Sequence, residues 1–386
     1  MNDKGLNKKS KIIFLKLKKT DAQYFIQFIK ENFKNDSIID QRYKLEHKEN
    51  YILFPLVENK KIIKNLVRTM ENLISFELGT REGIINPNFK YRNLEEALRG
   101  KIPLNYLNLI PGSYDVIGNI AILEFEKLDQ INNSKYNEFK TLVAKAVIEV
   151  NKNVLSVFEK KSQIKGSYRL RDLAYLGGVN NSETVHKEND CLFHLDIKTT
   201  YFSPRLVYER RRISESNLKE NEVIVDMFSG VGTFSIQIAK LNLVEIHAFD
   251  LNPAAYSFLK KNIGSNKLKG KIFPYNMNTK DIVNPSNRIG KKLHNNVDRI
   301  IMNLPEGSID FIDVACFLMK KSGGILHFYH FSEKPNALDI TIGTLKNQLN
   351  EFNWTADKIF DSKIVKSYSP KAELVVVDLY MKYFNS

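Results

Sequence analysis

The segment VIVDMFSGVGTF, residues Val223 to Phe234, has the pattern of a strand, a turn and a helix in an α/β fold. An apolar run that ends in Asp226 predicts a buried strand, and Gly230 and Gly232 predict a tight turn that opens a helix. Such a unit brings backbone N–H groups and a helix N-terminus close to a ligand. Ser235 stands where the dinucleotide fingerprint has its third glycine, and no Gly-Lys-Ser/Thr follows, so neither that fingerprint nor a P-loop is complete.

A second carboxylate indicates the kind of ligand. Asp250 follows the next apolar stretch, 18 residues after Gly232, close to the spacing of about 20 at which an acidic residue holds ribose hydroxyls. A carboxylate at Asp226 favours a sulfonium or amino group and repels phosphate. A ligand with a ribose but no pyrophosphate therefore fits, which favours S-adenosylmethionine over NAD. An ordinary strand–turn–helix junction is the alternative interpretation.

The chain is expected to have three structured parts and a linker. We expect a small α/β module over residues 1–85 and a loop-like basic linker over residues 86–102. Residues 103–196 are expected to form a middle α+β domain, with one strand at Val116–Phe125. Residues 197–386 show the β-α-β rhythm of a parallel sheet. Its strands are expected at Val223–Met227, Glu245–Phe249, Lys271–Pro274, Arg299–Met302 and Gly324–Phe328, followed by an antiparallel hairpin of Ile364–Tyr368 and Glu373–Tyr380. The predicted fold class is α/β, a C-terminal Rossmann-like sheet preceded by two smaller α+β domains.

Composition and charge narrow the class of protein. Of the 386 residues 43% are hydrophobic and 26% charged, as in ordinary globular proteins. The formal charge of +14 favours nucleic acid or a membrane surface as partner, although solvated lysines of a lysine-rich proteome explain it equally. Two cysteines without ligand spacing speak against disulfides and a zinc site, and no apolar run approaches the ~20 residues of a membrane span. We expect a cytoplasmic protein, with nuclear or mitochondrial pools allowed, that binds neither metal nor membrane.

Two further motifs suit a methyl acceptor. Asn303-Leu304-Pro305 follows the strand Arg299–Met302 and should face the same cleft as the glycine turn. It resembles the N-P-P-type motif of amino methyltransferases, in which the Asn side chain and a neighbouring carbonyl hold a planar nitrogen. Upstream, TYFSPRLVYERRRI (Thr200–Ile213) combines arginines with aromatic residues, which suits phosphate contacts and base stacking. A solvated basic helix is the alternative interpretation of this segment.

Taken together, these segments resemble the tRNA guanine N1-methyltransferases of the archaeal and eukaryotic type. The resemblance implies a class I methyltransferase fold, S-adenosylmethionine as cofactor, a monomer, and a tRNA with guanosine at position 37 as partner. It also implies that residues 1–85 form a tRNA-contacting module. Besides the glycine turn and Thr200–Ile213, it is carried in family order by GSYRLRDLAYLGG (Gly166–Gly178), HKEND (His186–Asp190), HAFDLNP (His247–Pro253), IIMNLP (Ile300–Pro305) and VKSYSP (Val365–Pro370).

The resemblance assigns roles to individual residues. It places the general base at Glu209, a guanine contact at Arg169, and the catalytic loop at Asn303 and Pro305. Substrate contacts are expected at Arg169, Tyr201 and Arg205, although core packing is the simpler role for Tyr201. Cofactor contacts are expected at Arg210, Asp226, Phe228, Gly230, Gly232, Asp250, Leu251, Asn278, Thr279 and Asn303. Family members carry Asp at the place of Asn278, which predicts altered cofactor affinity and retained activity, because an amide still forms hydrogen bonds.

Three other functions stay open on the sequence. A wybutosine-pathway enzyme that transfers aminocarboxypropyl from the same cofactor shares several of these segments but lacks Asn-Leu-Pro after the fourth strand. A dual-specificity methyltransferase and a non-catalytic RNA-binding protein of this fold are the others. Glu209 also has a purely structural interpretation, in which it pairs with Arg205, Arg211 or Arg212 on an exposed helix.

Overall fold

A computed structural model describes residues 11–33, 37–128 and 135–384. The chain forms two compact units, which divide between Ala97 and Leu98. The predicted boundaries near residues 85, 102 and 196 remain predictions. Within the described ranges, no helix is both long and apolar enough to cross a membrane.

The first unit contains an antiparallel sheet with two helices packed on it. Its elements are β1 (Lys11–Lys18), α1 (Ala22–Asn32), β2 (Glu46–His47), β3 (Tyr51–Leu56), α2 (Lys60–Met70) and β4 (Phe76–Glu82). The strands lie in the order β2-β3-β1-β4, and each neighbouring pair is antiparallel. Phe25 of α1 and Leu66 of α2 are buried in one apolar cluster with Leu15 of β1. The alternation of strand and helix patterns thus corresponds to real elements with a common core.

The predicted linker contains a short helix, α3 (Leu94–Leu98), so it is not loop-like throughout. Asn93 begins the helix, because its side-chain oxygen accepts a hydrogen bond from the Glu96 backbone N–H at 2.8 Å. The Glu96 carboxylate in turn accepts from the Arg92 backbone N–H at 2.7 Å. These reciprocal bonds resemble a capping box, a local signal that the basic and Asn-rich composition hides.

The second unit opens with a sheet and a hairpin. Its first elements are β5 (Asp115–Ile117), β6 (Ile120–Leu123), α4 (Lys135–Val150), β7 (Ser156–Lys160), β8 (Leu173–Gly178), β9 (Glu183–Glu188) and β10 (Cys191–Asp196). Strands β5 to β8 form a sheet in chain order, and β9 pairs with β10. Phe158 of β7 and Phe193 of β10 belong to one buried cluster that also holds Val231 of the glycine turn. The middle region therefore supports the turn directly.

The prediction of one continuous strand at Val116–Phe125 is wrong. The segment turns at Gly118 and Asn119, and Ile117 pairs with Ile120 across a two-residue hairpin. Gly118 has a φ of +57°, and a Cβ there would lie 2.1 Å from Thr184 Oγ1, so only glycine fits. Apolar residues on both sides of the turn gave the segment the appearance of a single buried strand.

The C-terminal sheet confirms the predicted Rossmann-like architecture. Its elements are α5 (Val207–Ser214), β11 (Val223–Asp226), α6 (Thr233–Leu241), β12 (Glu245–Asp250), α7 (Pro253–Ser265), β13 (Lys271–Asn276), α8 (Arg288–Leu293), β14 (Arg299–Met302), α9 (Ile312–Leu318), β15 (Gly324–Glu333), α10 (Ala337–Glu351), β16 (Trp354–Ser367) and β17 (Ala372–Tyr383). The order is β13-β12-β11-β14-β15-β17-β16. Strands β11 to β15 run parallel, and β17 and β16 are antiparallel. The predicted closing hairpin is present, with longer strands than expected.

The strand order places a ligand cleft at one point of the sheet. From β11 the chain moves outward to β12 and β13, and then returns to the other side of β11 with β14. The carboxyl ends of β11, β12 and β14 therefore meet at a topological switch point, where open α/β sheets bind their ligands. Asp226 and Asp250 end β11 and β12, and Asn303 directly follows β14.

Candidate active site

A cavity of about 380 Å³ opens at this switch point. Ten of the predicted site residues line it: Arg169, Tyr201, Arg210, Phe228, Gly230, Asp250, Leu251, Asn278, Thr279 and Asn303. Five others, Arg205, Glu209, Asp226, Gly232 and Pro305, do not belong to its lining. The cavity brings together residues that are more than 130 positions apart in the chain, from the region before β8 to the loop after β14.

Two glycines shape the turn beside the cavity for different reasons. Gly230 has a φ of +56° and donates its backbone N–H to Asp250 Oδ2 at 2.7 Å. Gly232 has a φ of +92° just before α6, and a Cβ there would lie 2.6 Å from Leu259 Cδ1. Gly230 thus fixes the loop to the next strand, whereas Gly232 allows the loop to pack closely against α7.

The Asp250 carboxylate is held by the backbone and faces the cavity. Its second oxygen, Oδ1, accepts the Asn252 N–H at 2.8 Å. Burial raises the pKa of Asp250, and the two backbone hydrogen bonds counter that effect. Each oxygen retains a further lone pair. This fixed acceptor pair suits a ligand with adjacent hydroxyl groups, such as a ribose.

Asp226 lies beneath the glycine turn and is fully buried. Its Oδ2 accepts a hydrogen bond from Ser235 Oγ of α6 at 2.7 Å, and Oδ1 has no hydrogen-bond partner within the described residues. Burial raises the pKa of Asp226 to about 7. The observed contact of this side chain is therefore with α6, and the predicted contact with a cationic ligand group remains a prediction.

Buried polar atoms of the lining have unused hydrogen-bonding capacity. Asn303 Oδ1 and Thr279 Oγ1 are buried without a hydrogen-bond partner in the described part of the chain. Asn278 differs, because its Oδ1 accepts the Lys280 N–H at 3.0 Å and so caps a short helical turn. A buried polar group without a partner costs about 1–3 kcal/mol. The cavity therefore fits a ligand that carries polar groups of its own.

Arg210 of α5 is oriented by a buried carboxylate that sequence reasoning did not single out. Glu188 of β9 accepts from Arg210 Nε at 2.6 Å and from Nη2 at 2.5 Å. Burial alone would raise the pKa of Glu188, but the imidazole of His186, 3.7 Å away, and the hydrogen bonds from Arg210 outweigh it and lower the pKa to about 2. Arg210 also donates to the Ser203 carbonyl and stacks on Phe202. The signal for Glu188 was present in the HKEND segment, without an assigned role.

Glu188→Gln should lower the free energy of unfolding at pH 7 by about 3 kcal/mol, since each unit of pKa shift corresponds to about 1.4 kcal/mol. A carboxylate whose pKa is lowered on folding stabilises the protein above its unfolded value of 4.5, and this stabilisation is lost as the pH falls toward 2. The difference between variant and wild type should therefore narrow between pH 5 and pH 3 in urea titrations. Glu215→Gln, which breaks an exposed pair with Arg211, is the control and should cost about 0–1 kcal/mol. If Glu188→Gln lowers the free energy of unfolding equally at pH 5 and at pH 3, folding does not lower the pKa of Glu188.

Arg169 enters the cavity from a strained position. Its φ is +56°, its side chain is nearly buried, and its guanidinium lies 5.1 Å from the centre of the Tyr201 ring. Nη1 lies 3.0 Å from Oε2 of Glu306, but the two groups are not aligned for a hydrogen bond, so Nη1 has no hydrogen-bond acceptor among the described residues. Glu306 directly follows Asn303-Leu304-Pro305 and was not singled out from the sequence. The arginine therefore has a donor available inside the cavity.

Glu209 lies in a buried ionic cluster, so the exposed helix of the alternative interpretation is not observed, and its role as general base remains a prediction. Its carboxylate accepts hydrogen bonds from Arg212 Nη2 at 2.7 Å and from the Tyr329 hydroxyl at 3.2 Å, and Lys363 Nζ lies 3.0 Å away. The side chain is only 2% exposed. Of the three arginines considered as partners, Arg212 makes the contact, whereas Arg205 and Arg211 pair with Asp115 and Glu215. The partners of Glu209 come mainly from the C-terminal strands.

A second, more polar cavity of about 470 Å³ adjoins the first. The two cavities share Arg169, Tyr201, Phe202 and Ser203. The second cavity is lined by five basic side chains, of Lys160, Arg169, Arg171, Arg205 and Lys366, and by three acidic ones, of Asp115, Glu124 and Glu126. Burial and the neighbouring cations lower the pKa of Lys366. An excess of cations next to the first cavity suits an anionic ligand that extends across both.

Comparisons with known proteins relate the chain to one group of enzymes. Residues 184–356 match the family described as the TRM5/TYW2 methyltransferase domain, and residues 94–182 match the TYW2 N-terminal domain. The chain is 32% identical over 367 residues to the tRNA (guanine(37)-N(1))-methyltransferase Trm5b of Methanocaldococcus jannaschii, covering 94% of this chain and 97% of that enzyme. The solved structure of the complex of aTrm5 and tRNALeu is similar with a TM-score of 0.65 at 30% identity, covering 95% of this chain and 99% of that one.

Wybutosine-pathway proteins are similar over a smaller part of the chain. The tRNA(Phe) (4-demethylwyosine(37)-C(7)) aminocarboxypropyltransferase of Pyrococcus horikoshii is 30% identical, covering 74% of this chain and 95% of that enzyme. The structure of P. horikoshii TYW2 in complex with MeSAdo has a TM-score of 0.61 at 27% identity, covering 75% of this chain and 98% of that one.

Proposed function

The chain belongs to the family of tRNA (guanine-37 N1)-methyltransferases, and from this premise we propose that it transfers the methyl group of S-adenosylmethionine to N1 of guanosine 37 in tRNA. The observation that carries the proposal is the convergence of Arg169, Asp250 and Asn303 on one cavity at the switch point of the sheet. An acceptor for ribose hydroxyls, a loop for a planar nitrogen and a cation for a developing negative charge thus face each other.

The residues of the cavity fit the proposed cofactor. When bound, S-adenosylmethionine supplies a methyl group made electrophilic by its positive sulfur. Asp250 would accept hydrogen bonds from the ribose hydroxyls, and the buried Thr279 hydroxyl would gain the partner that it lacks among the described residues. Arg210, fixed by Glu188, would offer its remaining N–H to the carboxylate of the methionine part.

The acceptor must lose a proton in this reaction. Guanine N1 carries a hydrogen, and Glu209 would take it as general base. Negative charge then grows on O6, where the available Arg169 donor stabilises it. The Asn303-Leu304-Pro305 loop would hold the planar N1 in line with the methyl group, and Tyr201 would stack on the ring that has been taken out of the anticodon loop. Positioning of the two reactants supplies much of the remaining acceleration.

Aminocarboxypropyl transfer is the alternative reaction of the same family. The match to Trm5b spans 94% of this chain, whereas the match to the P. horikoshii aminocarboxypropyltransferase spans 74%. The Asn303-Leu304-Pro305 loop beside the cavity also favours methyl transfer. The predicted monomeric state and cytoplasmic location remain predictions.

Two labelled forms of the cofactor distinguish these reactions. The purified chain is incubated with S-adenosylmethionine labelled either in the methyl or in the carboxyl group, and with tRNA that carries at position 37 either guanosine or 4-demethylwyosine, the acceptor in the name of the P. horikoshii aminocarboxypropyltransferase. We expect only the methyl label to enter RNA, and a transcript with adenosine 37 to remain unlabelled. Entry of the carboxyl label would assign the chain to aminocarboxypropyl transfer instead.

Asp250→Ala should weaken binding of S-adenosylhomocysteine about 10- to 100-fold, because hydrogen bonds to a charged group contribute about 1.5–3 kcal/mol. Isothermal titration calorimetry measures the change. Asp357→Ala, at an exposed position of β16, is the control and should bind as the wild type does. NAD should bind the wild type far more weakly than S-adenosylhomocysteine, and equal affinities would refute our interpretation of the glycine turn.

A further inference from the structure

The ion pair of Arg169 and Glu306 has the chemistry needed to read a guanine. We propose that Glu306 accepts a hydrogen bond from the 2-amino group of the target guanine while Arg169 binds O6, so that Glu306 determines the choice of base at the methylation site. This inference rests on the proposed function and extends it to substrate specificity.

The two side chains match the two ends of the guanine Watson–Crick edge. That edge presents an acceptor at O6 and donors at N1 and at the 2-amino group, and bases taken out of a stack are read along this edge. Arg169 supplies donors only, and the Glu306 carboxylate supplies acceptors only. Adenine carries an amino group in place of O6, so it would place a hydrogen-bond donor against the donors of Arg169.

The geometry of the pair allows guanine to replace it. Arg169 Nη1 lies 3.0 Å from Glu306 Oε2 but forms no hydrogen bond in that direction. The glutamate side chain is 47% exposed, so it has room to move, whereas Arg169 is held by its nearly buried position over Tyr201. When guanine enters between Arg169 and Glu306, their ion pair is replaced by two charge-assisted hydrogen bonds to the base. The guanine N1 then lies between the two charged side chains.

The two carboxylates with other proposed roles, Asp250 and Glu209, are engaged elsewhere. Asp250 and Glu306 are the acidic residues among the described residues that line the first cavity. Both oxygens of Asp250 accept backbone N–H groups at the cofactor side. Glu209 lies outside the lining, with Arg212 on one oxygen and Lys363 on the other. Of the carboxylates in the described lining, Glu306 is therefore the one that remains for the 2-amino group.

Inosine provides the test, because it keeps O6 and the N1 hydrogen of guanosine and lacks only the 2-amino group. Two tRNAs with guanosine or inosine at position 37, assembled by ligation, are compared through kcat/KM. The wild type should prefer guanosine about 10- to 100-fold, as for a hydrogen bond to a charged acceptor. Glu306→Ala should reduce this preference to near unity, and Glu306→Gln should retain part of it because the amide oxygen still accepts. Glu351→Ala, at an exposed position on α10, should keep the full preference.

The possible outcomes separate this inference from the proposed function. If Glu306→Ala slows both substrates equally and leaves the ratio unchanged, Glu306 only balances the charge of Arg169 and the inference is overturned. A wild type that methylates both tRNAs equally overturns it as well, while leaving the proposed function intact. A wild type that forms no 1-methylguanosine refutes the proposed function, and this inference with it. Calorimetric binding of S-adenosylhomocysteine verifies that both Glu306 variants are folded.

Discussion

Glu209→Gln should slow single-turnover methyl transfer about 10²–10⁴-fold, the usual contribution of general-base catalysis. The amide keeps the size of the side chain and can no longer accept the N1 proton. Affinity for S-adenosylhomocysteine and for tRNA should change little, because the lost interaction acts mainly in the transition state. Rapid-quench measurement of one turnover on saturating enzyme gives the rate of the chemical step.

The position of Glu209 makes a matched control necessary. Its carboxylate lies between Arg212 and Lys363 outside the cavity lining, so it reaches the guanine only by turning away from these partners. Glu222→Gln breaks a similarly buried pair, with Arg299 at 2.5 Å, and should leave the rate of methyl transfer near that of the wild type. If Glu209→Gln behaves like this control, Glu209 is a structural residue and the proton leaves to solvent or substrate.

Arg169→Ala should slow the same step about 10²–10³-fold, the range seen when one donor to a developing oxyanion is removed. The arginine stabilises charge on O6 and moves no proton. The variant should therefore retain the pH dependence of the wild-type rate, which Glu209→Gln should flatten. Single-turnover rates across a pH series measure both effects.

Arg171 provides the control for Arg169. It lies two positions further along the chain and lines the second cavity but not the first. Arg171→Ala should change the rate at saturating tRNA by less than about tenfold, although it removes the same charge. Equal losses in the two variants would show that Arg169 acts through general attraction of RNA and not at O6.

The sheet could be predicted from sequence because its determinants are local. Each parallel strand is a short apolar run, and Asp226, Asp250 and Asn303 mark the points where such runs end. The carboxyl ends of parallel strands share one edge, so the meeting of Asp250 and Asn303 in the cavity could be predicted from their positions at the ends of such strands. The turn at Gly118 was missed because apolar residues flank it on both sides.

The surroundings of individual side chains depended on contacts distant in sequence. The neighbouring arginines left an exposed helix open as an alternative interpretation of Glu209, because Tyr329 and Lys363, which contact its carboxylate, lie 120 and 154 residues away in the sequence. Glu306 gave no signal, since its importance comes from Arg169, which lies in a different domain of the predicted division. Hydrophobic periodicity predicts which face of a helix is apolar, but it does not predict which charged residues of other elements cover that face.

Nucleoside analysis of the reaction product identifies the methylated atom and its position in the tRNA. A tRNA transcript with guanosine 37 is incubated with the purified chain and S-adenosylmethionine, cut with a guanosine-specific ribonuclease, and analysed by liquid chromatography and mass spectrometry. We predict 1-methylguanosine in the fragment that contains position 37, and none in the product from a transcript with adenosine 37. A methyl group on another atom or at another position, or unmodified RNA in the presence of bound cofactor, would contradict the account.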